Sequence, residues 1–315
     1  MKLLRLAPEN TKFDFMRLRR VSYPMSAVLS IVAVLLFAFV GMNFGIDFSG
    51  GTQVELRAKS GNADIAALRS TGESLGLGAI EVQRSGADTD AVMRVGIQPG
   101  GEAAQQNAIG KMRQAFGDNY EFRQVDAVGP RVSGELVQKG TLGIVISILA
   151  VLTYLWFRFE WQFAVGAIVA TIHDVVMTLG FFVITGLEFN QSSLAAILTI
   201  IGYSLNDTIV VYDRVREDLR KYKRMPLPQL LNNAINETLS RTTLTSVTTI
   251  LALLALVLFG GEVIRSFTMA MLFGVVFGTY SSIFIAAPLL ILFKLRPQAS
   301  ADEEKPVSGG KAVAT

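Results

Sequence analysis

The dominant pattern along the chain is a succession of long apolar runs parted by polar stretches. Crossing a bilayer as a helix takes about 20 mostly apolar residues. Six runs qualify: Val21–Met42, Gly140–Phe157, Phe163–Leu187, Ser193–Tyr212, Thr242–Phe259 and Phe267–Phe293. The first is too long for a removed signal peptide and lacks the small-residue cleavage pattern, so it reads as an anchor. Between the first and second runs, over Asn43–Lys139, the pattern becomes that of a water-soluble module. "TQVELRAK", "AIEVQR", "AVMRVGI" and "YEFRQVDAVG" read as strands. "NADIAALRSTGESLG", opening on an Asn62 cap, and "GEAAQQNAIGKMRQAFG", ending at Gly117, have helical spacing. The expected fold class is a polytopic α-helical membrane protein. It has six transmembrane helices and a small α+β, ferredoxin-like (βαββαβ) extracytoplasmic domain between helices 1 and 2. That topology by itself names no ligand.

Charge orients the runs. Lys2, Arg5, Lys12, Arg17, Arg19 and Arg20 lie in residues 1–20, and Arg158 lies between the second and third runs. Arg214, Arg216, Arg220, Lys221, Lys223 and Arg224 follow the fourth run, and Lys294 and Arg296 follow the sixth. All fall on one side when six spans alternate, whereas the opposite short loops "GLEFNQ" and "GGEVIRS" hold only Arg265. Positive charge marks the cytoplasmic side, so a multi-pass protein of the cell inner membrane with both termini cytoplasmic is expected. "Gly129-Pro130" and "GIDFSGGT" mark the module's exit and entrance and are expected to meet at the outer membrane surface. Residues 294–315 end in a small, polar stretch, expected to be a disordered tail.

Composition narrows the chemistry. The chain is 51% hydrophobic and 17% charged, below the roughly 25% charged of a typical soluble protein. The apolar runs account for the deficit. A net charge of +3, with no interleaving of basic and aromatic residues, gives no nucleic-acid signature. With no Cys, disulfides, zinc thiolate sites and Cys nucleophiles are excluded, and one His cannot build a multi-histidine metal site. Neither an enzyme nor a cofactor is expected.

Ionisable residues inside apolar runs are functional candidates, since a charge at the bilayer centre costs about 3 kcal/mol on insertion scales. Asp207 stands in the fourth run, and Thr199, Tyr203, Asn206 and Asp207 share a face by three- and four-residue spacing. It is read either as a working acid or as a packing group. Arg241 opens the fifth run, followed by Thr242, Thr243, Thr245, Ser246, Thr248 and Thr249. Such a hydroxyl face suits a wet path or helix packing, and Arg241 alone would suit a snorkelling boundary charge. His173 and Asp174 lie mid-run in the third; the His suits either a proton shuttle or a structural bond. Gly274, Gly278 and Ser282 form a small-residue ridge, read as packing, and that ridge is also the face expected to receive a partner.

The motifs "GIDFSGGT", "AVGPRVSGEL", "TIHDVVMTLGFF", "LTIIGYSLNDTIVVYDRVRE", "INETLSRTTLTSVTT" and "FGTYSSIFIAAPLL" together closely resemble the SecF family, the smaller partner in bacterial SecDF export complexes. They cover most of the chain apart from the outer module and tails. The resemblance implies half of a resistance-nodulation-division transporter, with a SecD-like subunit supplying the other six spans. It implies use of the proton gradient, without a cofactor, to promote late steps of export. The family's intramembrane acid and arginine map onto Asp207 and Arg241 as a proton relay, with His173, Asp174, Tyr203, Asn206 and Thr245 as supporting polar residues. Implied partners are the SecYEG channel, YajC/YidC-type accessory proteins and the translocating polypeptide. The alternative is a proton-coupled small-molecule exporter half of resistance-nodulation-division type.

Overall fold

The computed structural model describes residues 11–295; most of the expected C-terminal tail lies outside them. In chain order the elements are α1 (Phe15–Phe39), the single turn α2 (Ile46–Ser49), β1 (Gly51–Ala58), α3 (Ile65–Ser74), β2 (Ile80–Arg84), β3 (Asp90–Val95), α4 (Gly101–Phe116) and β4 (Tyr120–Val128). They continue as α5 (Pro130–Arg158), α6 (Trp161–Thr185), α7 (Gln191–Lys221), α8 (Leu227–Phe259) and α9 (Arg265–Ser281). A π-helical turn, Ser282–Ala286, joins α9 to α10 (Ala287–Leu292).

Among the described residues, six helices are long and apolar enough to cross a membrane: α1, α5, α6, α7, α8 and the continuous run of α9 and α10. Several outrun the apolar segment that announces them. Helix α5 begins at Pro130 rather than Gly140, α7 continues to Lys221, and α8 begins at Leu227 rather than Thr242. Hydropathy reports only the part that lipid would surround. The polar turns stay helical because their inner faces are packed, as with Leu230, Leu231, Ala234 and Ile235 of α8. The first turns of α8 also hold the segment before α1: Asn236 bonds both the Phe13 N–H and C=O, and Asn232 accepts from the Met16 N–H.

The module between α1 and α5 contains a four-stranded antiparallel sheet in the order β2-β3-β1-β4. Alternation decides its two faces. Val54, Leu56, Val82, Met93 and Val95 pack with Leu68 of α3 and Met112 of α4 in one core. Gln53, Glu55, Gln83 and Arg94 turn the other way and line a cavity above the α6–α7 loop. One expectation fails. The cap of α3 is Asp64, which accepts from the Ala67 N–H, not Asn62. Ala63 is buried in the module core, which leaves Asn62 outside the helix. Gly51 pairs with Val128, so the module's entrance and exit do meet.

The membrane core is centred on α6, α7 and α9. Gly274 and Gly278 let α9 approach α7 closely: a Cβ on Gly274 would collide with Ile200, and one on Gly278 would sit 3.1 Å from Ser204 Cβ. The ridge is therefore used inside the chain, which corrects its reading as a face for a partner. Large apolar side chains face outward instead on α1, α5 and α8, with Phe39, Phe157 and Phe259 each more than four-fifths exposed.

Candidate intramembrane site

The two buried carboxylates that lie inside the apolar runs sit in different surroundings. Asp174 of α6 is satisfied. Its Oδ2 accepts from Ser204 Oγ of α7 at 2.5 Å and from Ser281 Oγ of α9 at 2.7 Å. Its Oδ1 lies 3.2 Å from His173 Nδ1. The same hydroxyl layer continues through Thr208 and Ser282, 2.9 Å apart. Asp174 thus knots three helices together, and buried hydrogen-bonded networks of this kind rigidify a core.

Asp207 of α7 is also buried, yet its Oδ2 has no hydrogen-bond partner. Arg241 of α8 is exposed on this chain and close enough for its charge to act on the Asp207 carboxylate. Tyr203 Oη of the same helix, Thr242 Oγ1 of α8 and His173 Nε2 of α6 are also buried without hydrogen bonds. A buried polar atom left unbonded costs about 1–3 kcal/mol, so several in one membrane core call for a reason beyond packing.

The remaining candidates divide. Asn206 is exposed beside the buried Asp207, and Thr199 is exposed with its hydroxyl donating to the Ala195 carbonyl at 2.8 Å. The shared face expected from spacing is therefore split between interior and exterior. Thr245 is bonded to the Thr242 carbonyl of its own helix at 3.0 Å. The α8 hydroxyls do reach α9 at one point, where Ser246 and Thr279 are 2.7 Å apart.

Sequence reasoning missed Ser204, Ser281 and Thr208, and read Ser282 only as part of the small-residue ridge. The available signal was hydroxyl clustering in "GYSLNDT" and "TYSS". It also missed the π-helical turn. Pro288 cannot donate a backbone N–H. The Phe284 carbonyl accepts from Ser22 Oγ of α1 at 3.2 Å, and the Ala286 carbonyl from Tyr212 Oη of α7 at 2.9 Å. Arg214, read as a simple basic surface charge, ties α7 to Glu237 of α8 and approaches the buried Asp218 at 3.8 Å.

Fold and site together define a multi-pass membrane protein with a buried, unsatisfied acid beside an arginine and an α/β module on one side. Comparison with known proteins is specific. The family described as "Protein export membrane protein SecD/SecF, C-terminal" matches residues 108–296, and the "SecD/SecF GG Motif" matches residues 35–61, which include Gly50-Gly51. "Protein translocase subunit SecF" of Rickettsia bellii is 46% identical over 292 residues, 92% of this chain and 96% of that relative. "Protein translocase subunit SecDF" of Brucella abortus is 46% identical over 295 residues, 94% of this chain but 39% of the longer relative. The crystal structure of SecDF from Thermus, described as a translocon-associated membrane protein, superposes with a TM-score of 0.83 at 33% identity, over 92% of this chain and 40% of that one. The chain belongs to the SecD/SecF family of protein export membrane proteins.

Proposed function

We propose that this chain is the SecF-like subunit of a SecDF-type complex that uses the proton gradient to promote late steps of protein export across the inner membrane. Asp207 takes up and releases the proton, and Arg241 is its switchable counter-charge. The observation that carries this reading is the contrast between the two buried acids. Asp174 is bonded on both oxygens and serves packing, whereas Asp207 keeps an oxygen without a partner. A nearby cation favours the ionised acid, and moving the cation away favours the protonated one. Each proton crossing the full potential delivers about 2.3 kcal/mol per 100 mV, enough to bias two states that differ by a few kcal/mol.

In this reading both termini are cytoplasmic and the sheet module, taken as ferredoxin-like from its strand order, stands outside. The SecD-like subunit, fused in the longer relatives, covers the exposed side of α7 and α8 that bears Asn206 and Arg241. The SecYEG channel, with YajC/YidC-type accessory proteins, delivers the polypeptide. The test is export in vesicles holding the complex and the channel, with and without an imposed gradient. Asp207→Asn should fold and assemble yet lose the gradient-dependent part, and Arg241→Lys, which lacks the guanidinium fork, should be impaired. Normal gradient-stimulated export by Asp207→Asn would refute the relay.

A further inference from the structure

Among the described residues, a partly buried ion pair joins the outer module to the membrane core. Arg94 of β3 turns its guanidinium away from the module core and pairs with Glu188, in the loop between α6 and α7. Their side chains are only 12% and 20% exposed. The guanidinium is held from several sides. Nε donates to Gln53 Oε1 at 2.9 Å, Nη1 donates to Asn43 Oδ1 at 3.0 Å, and Glu81 stands 4.0 Å away. Arg84–Asp88 in the module and Arg131–Glu135 on α5 are exposed pairs between residues four apart, whereas Arg57–Asp90 joins β1 to β3 inside the module. The two exposed pairs resemble the surface pairs that contribute little.

Glu188 is in turn fixed to the start of α7. Phe189 donates its N–H to the Asn43 carbonyl at 2.8 Å and accepts from the Gly45 N–H at 2.9 Å. Asn43 Nδ2 donates to the Gly186 carbonyl at 2.9 Å, and Asp47 Oδ2 accepts from the Gln191 N–H, the first residue of α7, at 2.9 Å. A Cβ at Gly45 would meet the Glu188 carboxylate and push it aside. Around the pair lies a polar cavity of about 450 Å³, whose charged lining also includes Asp47, Glu55, Arg84, Asp126 and Arg265. The pair is thus a firm side-chain tie beside this cavity, added to the chain connections at Gly50–Gly51 and Gly129–Pro130.

We propose that Arg94 and Glu188 form a coupling strut. They fasten the polar face of the outer sheet to the outer end of α7, so that displacement of the helix bearing Asp207 is delivered to the module. Arg94 and Glu188 are positioning residues that carry no proton in the relay. The inference rests on the proton-relay reading for what drives the movement, but the attachment itself can be measured without it.

The chain has no cysteine, so with a cysteine-free partner a spin-label pair at Lys111→Cys on α4 and Ser192→Cys on α7 is unique. Distance distributions between these labels are recorded for the full chain in complex with its SecD-like partner, carrying Arg94→Ala, Glu188→Ala, or both. Proton uptake and export are measured on the same reconstituted complexes. Each single variant should broaden the distribution and lower export per proton taken up by about tenfold, a common size for coupling between two sites. Proton uptake should persist. The double variant should be no worse than either single, because both remove the same tie. An unchanged distribution with unchanged export per proton, or losses that add, would overturn the strut. Absence of gradient-dependent export in the unmodified complex would instead remove the relay reading, and the distances alone would then decide the strut.

Discussion

Close packing of α9 on α7 sets the position of the proposed relay helix, and Gly274→Ala tests it. A Cβ at Gly274 would lie well under 3.0 Å from Ile200 Cδ1 and Cγ1 and 3.0 Å from Cγ2. Carbon pairs rest at about 3.5–4.0 Å, so Ile200 or the helices must yield by about 1 Å. Ile200 is 1% exposed and has no free space to enter. Forcing a methyl into such a site costs about 1–3 kcal/mol. Two other glycines calibrate the effect. At Gly278 the nearest atom would be 3.1 Å away, and at Gly202 nothing lies within 4 Å. All three are helical, so each gains the same helix propensity from Ala, about 1 kcal/mol in an exposed helix. Stability should therefore fall in the order Gly202→Ala, Gly278→Ala, Gly274→Ala, the ends differing by about 1–3 kcal/mol. The assay is reversible unfolding by SDS in mixed micelles, followed by tryptophan fluorescence. Adding Ile200→Ala should relieve Gly274→Ala in a non-additive way. Equal stability of Gly274→Ala and Gly202→Ala would refute the argument.

Other outcomes follow from the two acids and the module. In the same unfolding assay Asp174→Ala, which strands the Ser204 donor and leaves Ser281 only the Gly278 carbonyl, should cost about 1–3 kcal/mol, and Asp207→Ala should cost less. Tyr212→Phe removes the bond to the Ala286 carbonyl and should cost about 1–2 kcal/mol. In the module, the Arg57 hydrogen bonds hold the Asp90 carboxyl below its ordinary value, against burial. A depressed acid contributes stability that is full above its unfolded value, about 3.9, and is lost as pH falls through the lower folded value. Pulsed hydrogen exchange of β1 and β3 should show that acid loss, and Arg57→Gln should flatten it.

The spans were legible because lipid-facing helices need unbroken apolar runs, and the module's strands because "TQVEL" and "AVMRV" show one face each to water. The first turns of α8 were less visible, since "NNAINETLS" is polar. Leu230, Leu231, Ala234 and Ile235 carried a faint helical spacing that only their burial makes plain. Asp207 and Asp174 could both be named as acids within apolar sequence. Which of them is bonded could not be read, because the answer lies in hydroxyls of other helices: Ser281 is 107 residues from Asp174. Spacing put Asn206 and Asp207 on one face, but the boundary between interior and exterior passes between them. No pattern joined Arg94 to Glu188, 94 residues apart.

Helix α7 has 31 residues and so measures about 46 Å, against a hydrocarbon layer of about 30 Å. Such a helix is a beam longer than the layer it crosses. From Asp207 to its first residue, Gln191, is about 24 Å. A tilt of about 10° pivoting at Asp207 would swing that outer end through about 4 Å, while the fulcrum itself hardly moves. In the proposed relay, a change of charge on a nearly stationary carboxylate would become leverage at the far end, where Glu188 would bear the load.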